Sequence, residues 1–254
     1  MRKLLLFLSV LILLGSCVSL KRVKYIQDIA SSEQSETTYY QAKAPDYKIQ
    51  TGDHLHIDVK NIDPKNMNPF QSNTNVNIQT QSEAGVYLNS YQVSDSGNID
   101  FPLVGKVDVV GKTVFEVQSN LQQIVNEFFQ LTTVSVKLIN FRISLLGEVM
   151  RPGTYMVYQN QLNVFQAISM GGDLTNYANR KEVSIIRKTE KGTSVYKIDL
   201  LSSQLLNSPV YYLQPGDIVY IEPLSGKNFT FTAFPYAIIF STISTTLLIL
   251  NFIK

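Results

Sequence analysis

At 254 residues, with 44% hydrophobic and 17% charged positions, the chain is long enough for about two globular domains, each with its own core. A formal net charge of +2, with no stripe of lysine and arginine, is too small for a nucleic-acid footprint. The sole cysteine, Cys17, excludes an internal disulfide, while 14 tyrosines and 13 phenylalanines favour β-rich packing.

Met1-Arg2-Lys3 is a positive start, residues 4–14 are largely apolar, and Leu14-Gly15-Ser16-Cys17 comes next. An apolar run this short cannot span a bilayer core of roughly 30 Å, so residues 1–16 read as a signal removed between Ser16 and Cys17. The small residues before the thiol match the bacterial lipobox, in which the cysteine becomes the acylated first residue. An ordinary signal with an incidental cysteine is the other reading. Residues 17–44 hold a small basic patch (Lys21, Arg22, Lys24) and a polar stretch that buries little, the composition of a tether.

Pro45 opens the first domain, residues 45–140. Ile49, Leu55, Ile57 and Val59 alternate with polar residues around Gly52-Asp53, which predicts strand, turn, strand. The unit recurs at 211–222 around Gly216-Asp217, with Tyr, Gln, Gly, Asp and Ile in register: one turn used twice. Residues 61–92 read as a loop-rich insertion with a strand at 86–88. A hairpin turn at Asp95-Ser96-Gly97-Asn98 is expected between 91–93 and 99–101, with Pro102, Gly105 and Gly111 punctuating a further strand. Thr113 and Glu116 form a capping box for a helix to about Phe129, with Val114, Val117, Leu121, Ile124, Val125 and Phe128 on one face. A strand at 134–138 closes the domain.

Residues 141–226 form the second domain. Its pattern is a strand at 143–146, a turn at Gly147, a tight reversal at Pro152-Gly153, and a strand at 154–158. A short helix capped by Asn163 and Gln166 comes after it, with Val164, Ala167 and Ile168 buried and Gly171-Gly172 ending it. A strand at 183–187 ends on Arg187. This order resembles the soluble-ligand-binding β-grasp (SLBB) module.

Residues 227–254 are membrane-directed: from Phe234 to Ile253 there are 20 residues without a charge, enough to cross a bilayer as a helix. Ile239, Ile243, Leu247 and Leu250 fall on one apolar stripe, and Ser241, Thr242, Ser244 and Thr245 lie largely opposite. The segment reads either as a helix with lipid on one face and protein or water on the other, or as a plain anchor.

No arrangement points to an enzyme: there is no phosphate-cradling loop, no GxSxG elbow and no HExxH. His54 and His56 share a strand face, but without a third histidine or an available cysteine they read as surface residues and no metal site is expected. Asp53 and Asp217 come directly after turn glycines, where a carboxylate bonds nearby N–H groups. Tyr211, Tyr212 and Tyr220 could stack on sugars, though packing is the favoured role. No cofactor is expected.

Four motifs in order, YKIQTGDHLHIDV, GNIDFPLVGKVDVVGKT with its helix, GEVMRPGTY and SMGGDL, resemble the polysaccharide biosynthesis/export family of outer-membrane lipoproteins over roughly residues 45–223. The resemblance implies an α+β protein, anchored by lipid at Cys17, with an export domain and a β-grasp domain mostly in the periplasm. It implies a homo-oligomeric ring that passes capsular or exopolysaccharide, and a C-terminal helix through the outer membrane. An inner-membrane polysaccharide co-polymerase, often a tyrosine autokinase, is the implied partner. The absence of an acidic run after Cys17 implies a periplasm-facing anchor. The alternative is a monomeric lipoprotein that binds a ligand or glycan.

Overall fold

The computed structural model describes residues 24–28, 39–40, 44–61, 83–129, 131–189, 192–224 and 236–252. Ser16, Cys17 and Phe234 lie outside the described residues.

The first domain is built on β1 (His54–Asn61), flanked by β2 (Tyr91–Gln92) and β5 (Thr132–Leu138) in an antiparallel sheet. Strand alternation sends Leu55, Ile57 and Val59 inward, opposite Val136 and Val134 of β5. Over them lies α2 (Val114–Phe128), whose Val117, Leu121 and Val125 are buried. Its start is set by reciprocal bonds between Thr113 and Glu116. A hairpin of β3 (Asn98–Phe101) and β4 (Gly105–Asp108) adds Ile99, Phe101 and Val107 to the core.

Three expectations for this domain are corrected. Residues 86–88 are not a strand but the end of helix α1 (Glu83–Leu88), whose Tyr87 ring packs 4.5 Å from the His54 ring. The apolar run is too short for its period to separate helix from strand, and the contact with β1 decides. The turn at Ser94–Asn98 forms, but β2 pairs with β1 and β3 pairs with β4, so it joins two sheets rather than two strands of one hairpin. Phe128 stays 55% exposed because the chain leaves the helix at Phe129, whose side chain packs on the core instead.

The second domain is a five-stranded sheet in the order β10-β9-β12-β6-β7. Its strands are β6 (Arg142–Gly147), β7 (Gly153–Met156), β9 (Ala178–Thr189), β10 (Gly192–Ile198) and β12 (Ile218–Pro223). Strands β6 and β12 run parallel and the other neighbours antiparallel. A parallel pair needs a long crossover, and the chain supplies it with α3 (Val164–Met170), β9 and β10. Val164, Ala167 and Ile168 of α3 share a core with Ile143, Leu145, Val183, Ile185, Val219 and Ile221. A small ladder joins β8 (Leu162–Asn163) to β11 (Tyr212–Leu213), and a 3-10 turn covers Ser203–Asn207. Strand β9 runs well beyond the expected 183–187, because β12 pairs with it back to Ala178 and β10 pairs with it out to Thr189. Strand β7 ends before Val157, whose N–H still reaches Phe141 O at 2.9 Å.

Leu138, partly buried, packs against both cores. With two mixed helix-and-sheet units the fold is α+β. At the C-terminus α4 (Tyr236–Phe252) is 17 residues long, about 25 Å at 1.5 Å per residue. Among the described residues no helix is long and apolar enough to cross a membrane. The remainder of the expected 227–254 segment lies largely outside the described residues.

Candidate functional site

Each domain carries a Gly-Asp turn with a buried carboxylate, Asp53 in the first and Asp217 in the second. Gly52 and Gly216 have φ of +84° and +85°, the left-handed conformation a glycine adopts without a Cβ penalty. Asp53 N–H donates to Gln50 O at 3.2 Å and Asp217 N–H to Gln214 O at 3.1 Å. Each carboxylate then accepts the N–H of the glutamine, at 2.9 Å and 2.8 Å. Each glycine N–H also donates to a neighbouring strand, to Val93 O and Arg142 O respectively. The two turns are the same device in two domains.

Their carboxylates differ in partner. Asp217, with its side chain fully buried, is clamped by Arg187 through Nε at 2.9 Å and Nη2 at 2.7 Å. Arg187 also donates to Tyr212 O at 3.2 Å, tying β9, β11 and β12 together. Such a two-pronged pair fixes geometry as well as charge. Asp53 is held by neutral donors, Tyr47 Oη at 2.9 Å and Asn140 Nδ2 at 3.1 Å, and Asn140 Oδ1 accepts from His54 N–H. Burial first, then the Asp53 carboxylate, pushes the Tyr47 hydroxyl well above the usual phenol range.

The reversal expected to be tight at Pro152-Gly153 is spread over residues 146–152, since Gly153 already pairs with Leu145. Gly153 begins β7 and has no positive φ, whereas Gly147 does, at +86°. A Cβ on Gly147 would sit 2.0 Å from Ile221 O on the parallel neighbour. The intervening loop is held by the Gly171-Gly172-Asp173 segment: Met150 N–H donates to Asp173 O and Arg151 N–H to Gly171 O, both at 2.9 Å. The two glycines there serve different needs. Gly171 leaves room for Val149 and Leu145, and Gly172 takes φ of +79°. Beside them Glu148 is buried and accepts from the Thr175 hydroxyl. Of the remaining turn residues, Gly97 (φ +84°) accepts from Val109 and Val110 N–H, and Pro102 precedes Gly105 (φ +83°) in the β3–β4 connection.

His54 Nδ1 lies 3.0 Å from Ser90 Oγ, and His56 Nδ1 is buried without a hydrogen-bond partner. Among the described residues no three of His, Cys, Asp and Glu gather in a group that could hold a metal ion.

Each of the two domains resembles a known protein family. Residues 41–139 match the family of polysaccharide biosynthesis/export proteins, and residues 142–221 match the SLBB domain. Over residues 41–221 the chain is therefore built as a polysaccharide biosynthesis/export domain followed by an SLBB domain. The EPS I polysaccharide export outer membrane protein EpsA of Ralstonia nicotianae is 27% identical over 199 residues, 76% of this chain and 51% of that protein. Its counterpart in Ralstonia solanacearum is 29% identical over 188 residues, 72% of this chain and 49% of that protein. The chain spans about half the length of the curated relatives it matches.

The expected membrane stripe falls on α4, where Ile239, Ile243, Leu247 and Leu250 are all exposed. Phe240, Ile238, Leu248 and Ile249 are exposed beside them, so apolar surface surrounds the helix. The hydroxyls of Ser241, Thr242, Thr245 and Thr246 turn back onto carbonyls of their own helix, which spares them partners in an apolar medium. Sequence reasoning missed Asn140, Glu148, Thr175 and Arg180, because each takes its place from a partner distant in the chain. It also missed that Tyr25 meets Asp173 and Arg180, in a stretch composed like a tether.

Proposed function

We propose that the protein is a non-enzymatic subunit of an outer-membrane conduit, several copies of which form a ring through which capsular or exopolysaccharide passes. The observation that carries this reading is the order of parts: an export domain, a β-grasp domain and then a wholly exposed apolar helix. The names of the relatives, export proteins of the outer membrane, support the same direction. Transport is passive, through a hydrated lumen, with energy supplied elsewhere, and the partner is an inner-membrane polysaccharide co-polymerase.

Cys17, cleaved from Ser16 and acylated, supplies one membrane attachment and the uncharged stretch 234–253 the other; two signals make stable anchoring. Helix α4 alone falls about 5 Å short of a 30 Å hydrocarbon core, and the full stretch of 20 uncharged residues supplies the length. Most of the protein then stands in the periplasm, and ring closure uses heterologous contacts between subunits.

The test is electron microscopy of the acylated protein extracted in mild detergent, beside a chain ending at Lys227. Closed rings whose membrane density vanishes in the shortened chain are expected. Monodisperse monomers in several mild detergents would overturn the conduit in favour of a ligand- or glycan-binding lipoprotein.

A further inference from the structure

Residues 24–28, in the stretch composed like a tether, are docked on the β-grasp domain. Ile26 N–H donates to Leu200 O at 3.1 Å and Gln27 N–H to Leu201 O at 2.7 Å. The Tyr25 ring meets Phe165 edge-on with centroids 5.6 Å apart, and lies over the Arg180 guanidinium at 5.6 Å. Its hydroxyl donates to the Asp173 carboxylate. Asp28 closes the segment, its carboxylate accepting the Ser203 N–H and hydroxyl at 2.8 Å and the Ser202 hydroxyl at 3.2 Å.

Two features mark this as a built contact. Arg180 is only 5% exposed and its Nε has no hydrogen-bond partner, so the π-face of Tyr25 is part of what compensates a buried cation. A tyrosine suits the place because it presents a face to the guanidinium and a hydroxyl to the carboxylate. Ile26 holds φ of +48°, a conformation that a β-branched residue keeps only when its surroundings impose it. Burial first, then the bond to Asp173, pushes the Tyr25 hydroxyl far above the usual phenol range, in keeping with a phenol that stays protonated in its seat.

We propose that residues 24–28 are a clasp that fixes the lipid anchor to the β-grasp domain instead of to the export domain that comes after it in sequence, a role that rests on the reading of Cys17 as the acylated residue. Six residues, 18–23, separate Cys17 from Lys24. At the limit of an extended chain the acylated position therefore lies within about 30 Å of Tyr25, whatever path the intervening residues take. Were the segment not docked, the leash would run from Cys17 to the export domain near residue 44, with a reach on the order of 90 Å. The C-terminal segment leaves the same domain: Leu224 N–H donates to Tyr177 O at 2.7 Å, and α4 begins at Tyr236. Both membrane-directed ends thus start from the β-grasp domain, which becomes the membrane-proximal one.

The experiment uses the full acylated chain in detergent, with hydrogen exchange read by mass spectrometry and distances by pulsed electron paramagnetic resonance. Acylation blocks Cys17, so Lys24→Cys and Lys188→Cys carry the only spin labels. Slow exchange at Ile26 and Gln27 is expected, rising by about tenfold or more in Tyr25→Ala, together with a narrow label–label distance that broadens in the same variant. Exchange at Ile185 and Val219 reports whether the β-grasp core stays folded. If Tyr25→Ala unfolds it, Tyr25→Phe and Asp28→Asn, which keep the ring over Arg180, give the same readout. Fast exchange at Ile26 and Gln27 in the unaltered chain, or a broad distance there, overturns the clasp. An unmodified Cys17 in the mass spectrum overturns the anchoring role while leaving the docked segment to be judged by exchange alone.

Discussion

The Asp53 and Asp217 turns share backbone bonds but not partners, and the difference predicts unequal costs. Arg187→Ala strands the Asp217 carboxylate, whose side chain is fully buried, and is expected to cost about 3–5 kcal/mol in denaturant unfolding. Asn140→Ala removes a neutral donor from Asp53 and should cost only about 1 kcal/mol. Equal losses would show that the ion pair holds its turn no more firmly than the neutral donor holds the other. The glycines separate two other effects. Gly216→Ala meets open space at φ of +85° and should cost about 1 kcal/mol from backbone conformation alone. Gly147→Ala adds a Cβ 2.0 Å from Ile221 O, so it should break the β6–β12 pairing and cost several times more. Glu116 gives the pH dependence. Bonds from the backbone and side chain of Thr113 hold its carboxyl below the usual range. Its contribution is therefore present above the unfolded carboxyl value, about 4.3, and fades as pH falls through the lower folded value. Glu116→Gln should flatten the acid side of the stability curve while leaving a capped helix by circular dichroism.

At the scale of elements, α2 and α3 are placed by local chemistry that can be read from the chain. Thr113 with Glu116, and Asn163 with Gln166, make complete capping boxes. Strands β1 and β5 arise from alternation of Leu55, Ile57 and Val59 against Val134 and Val136. Helix α1 and the start of β9 cannot be read this way, since Tyr87 and Arg180 gain their places from β1 and from Tyr25. For α4 the proposal of a second membrane attachment yields a direct outcome. Cys17→Ala alone should leave the protein in the membrane fraction after alkaline extraction. Adding Leu247→Asp, at a cost of about 3 kcal/mol for a charge at the helix centre, should release it. Release by Cys17→Ala alone would assign anchoring to the lipid.

Across the whole molecule, the two cores meet through Leu138 on β5, just before β6 begins the second sheet. Leu138→Ala is expected to cost about 1–2 kcal/mol and to shift exchange protection in both cores together. A shift confined to β1 and α2 would show that the domains unfold independently. The clasp at Tyr25 sets the matching expectation for the membrane: the β-grasp domain, entered by one terminal segment and left by the other, lies next to the bilayer.

The features legible in the chain alone are local: the caps, the alternation of strands and the Gln-x-Gly-Asp turns all arise from interactions a few residues apart, while the order of domains is read from the resemblance of the motifs. Tertiary contacts decide that Arg187 pairs with Asp217 while Asp53 has neutral partners, that Gly153 enters β7 opposite Leu145 instead of closing a tight turn with Pro152, and that Tyr25 covers Arg180. Each of those depends on atoms brought together from positions far apart in the chain, where neither periodicity nor spacing carries a signal.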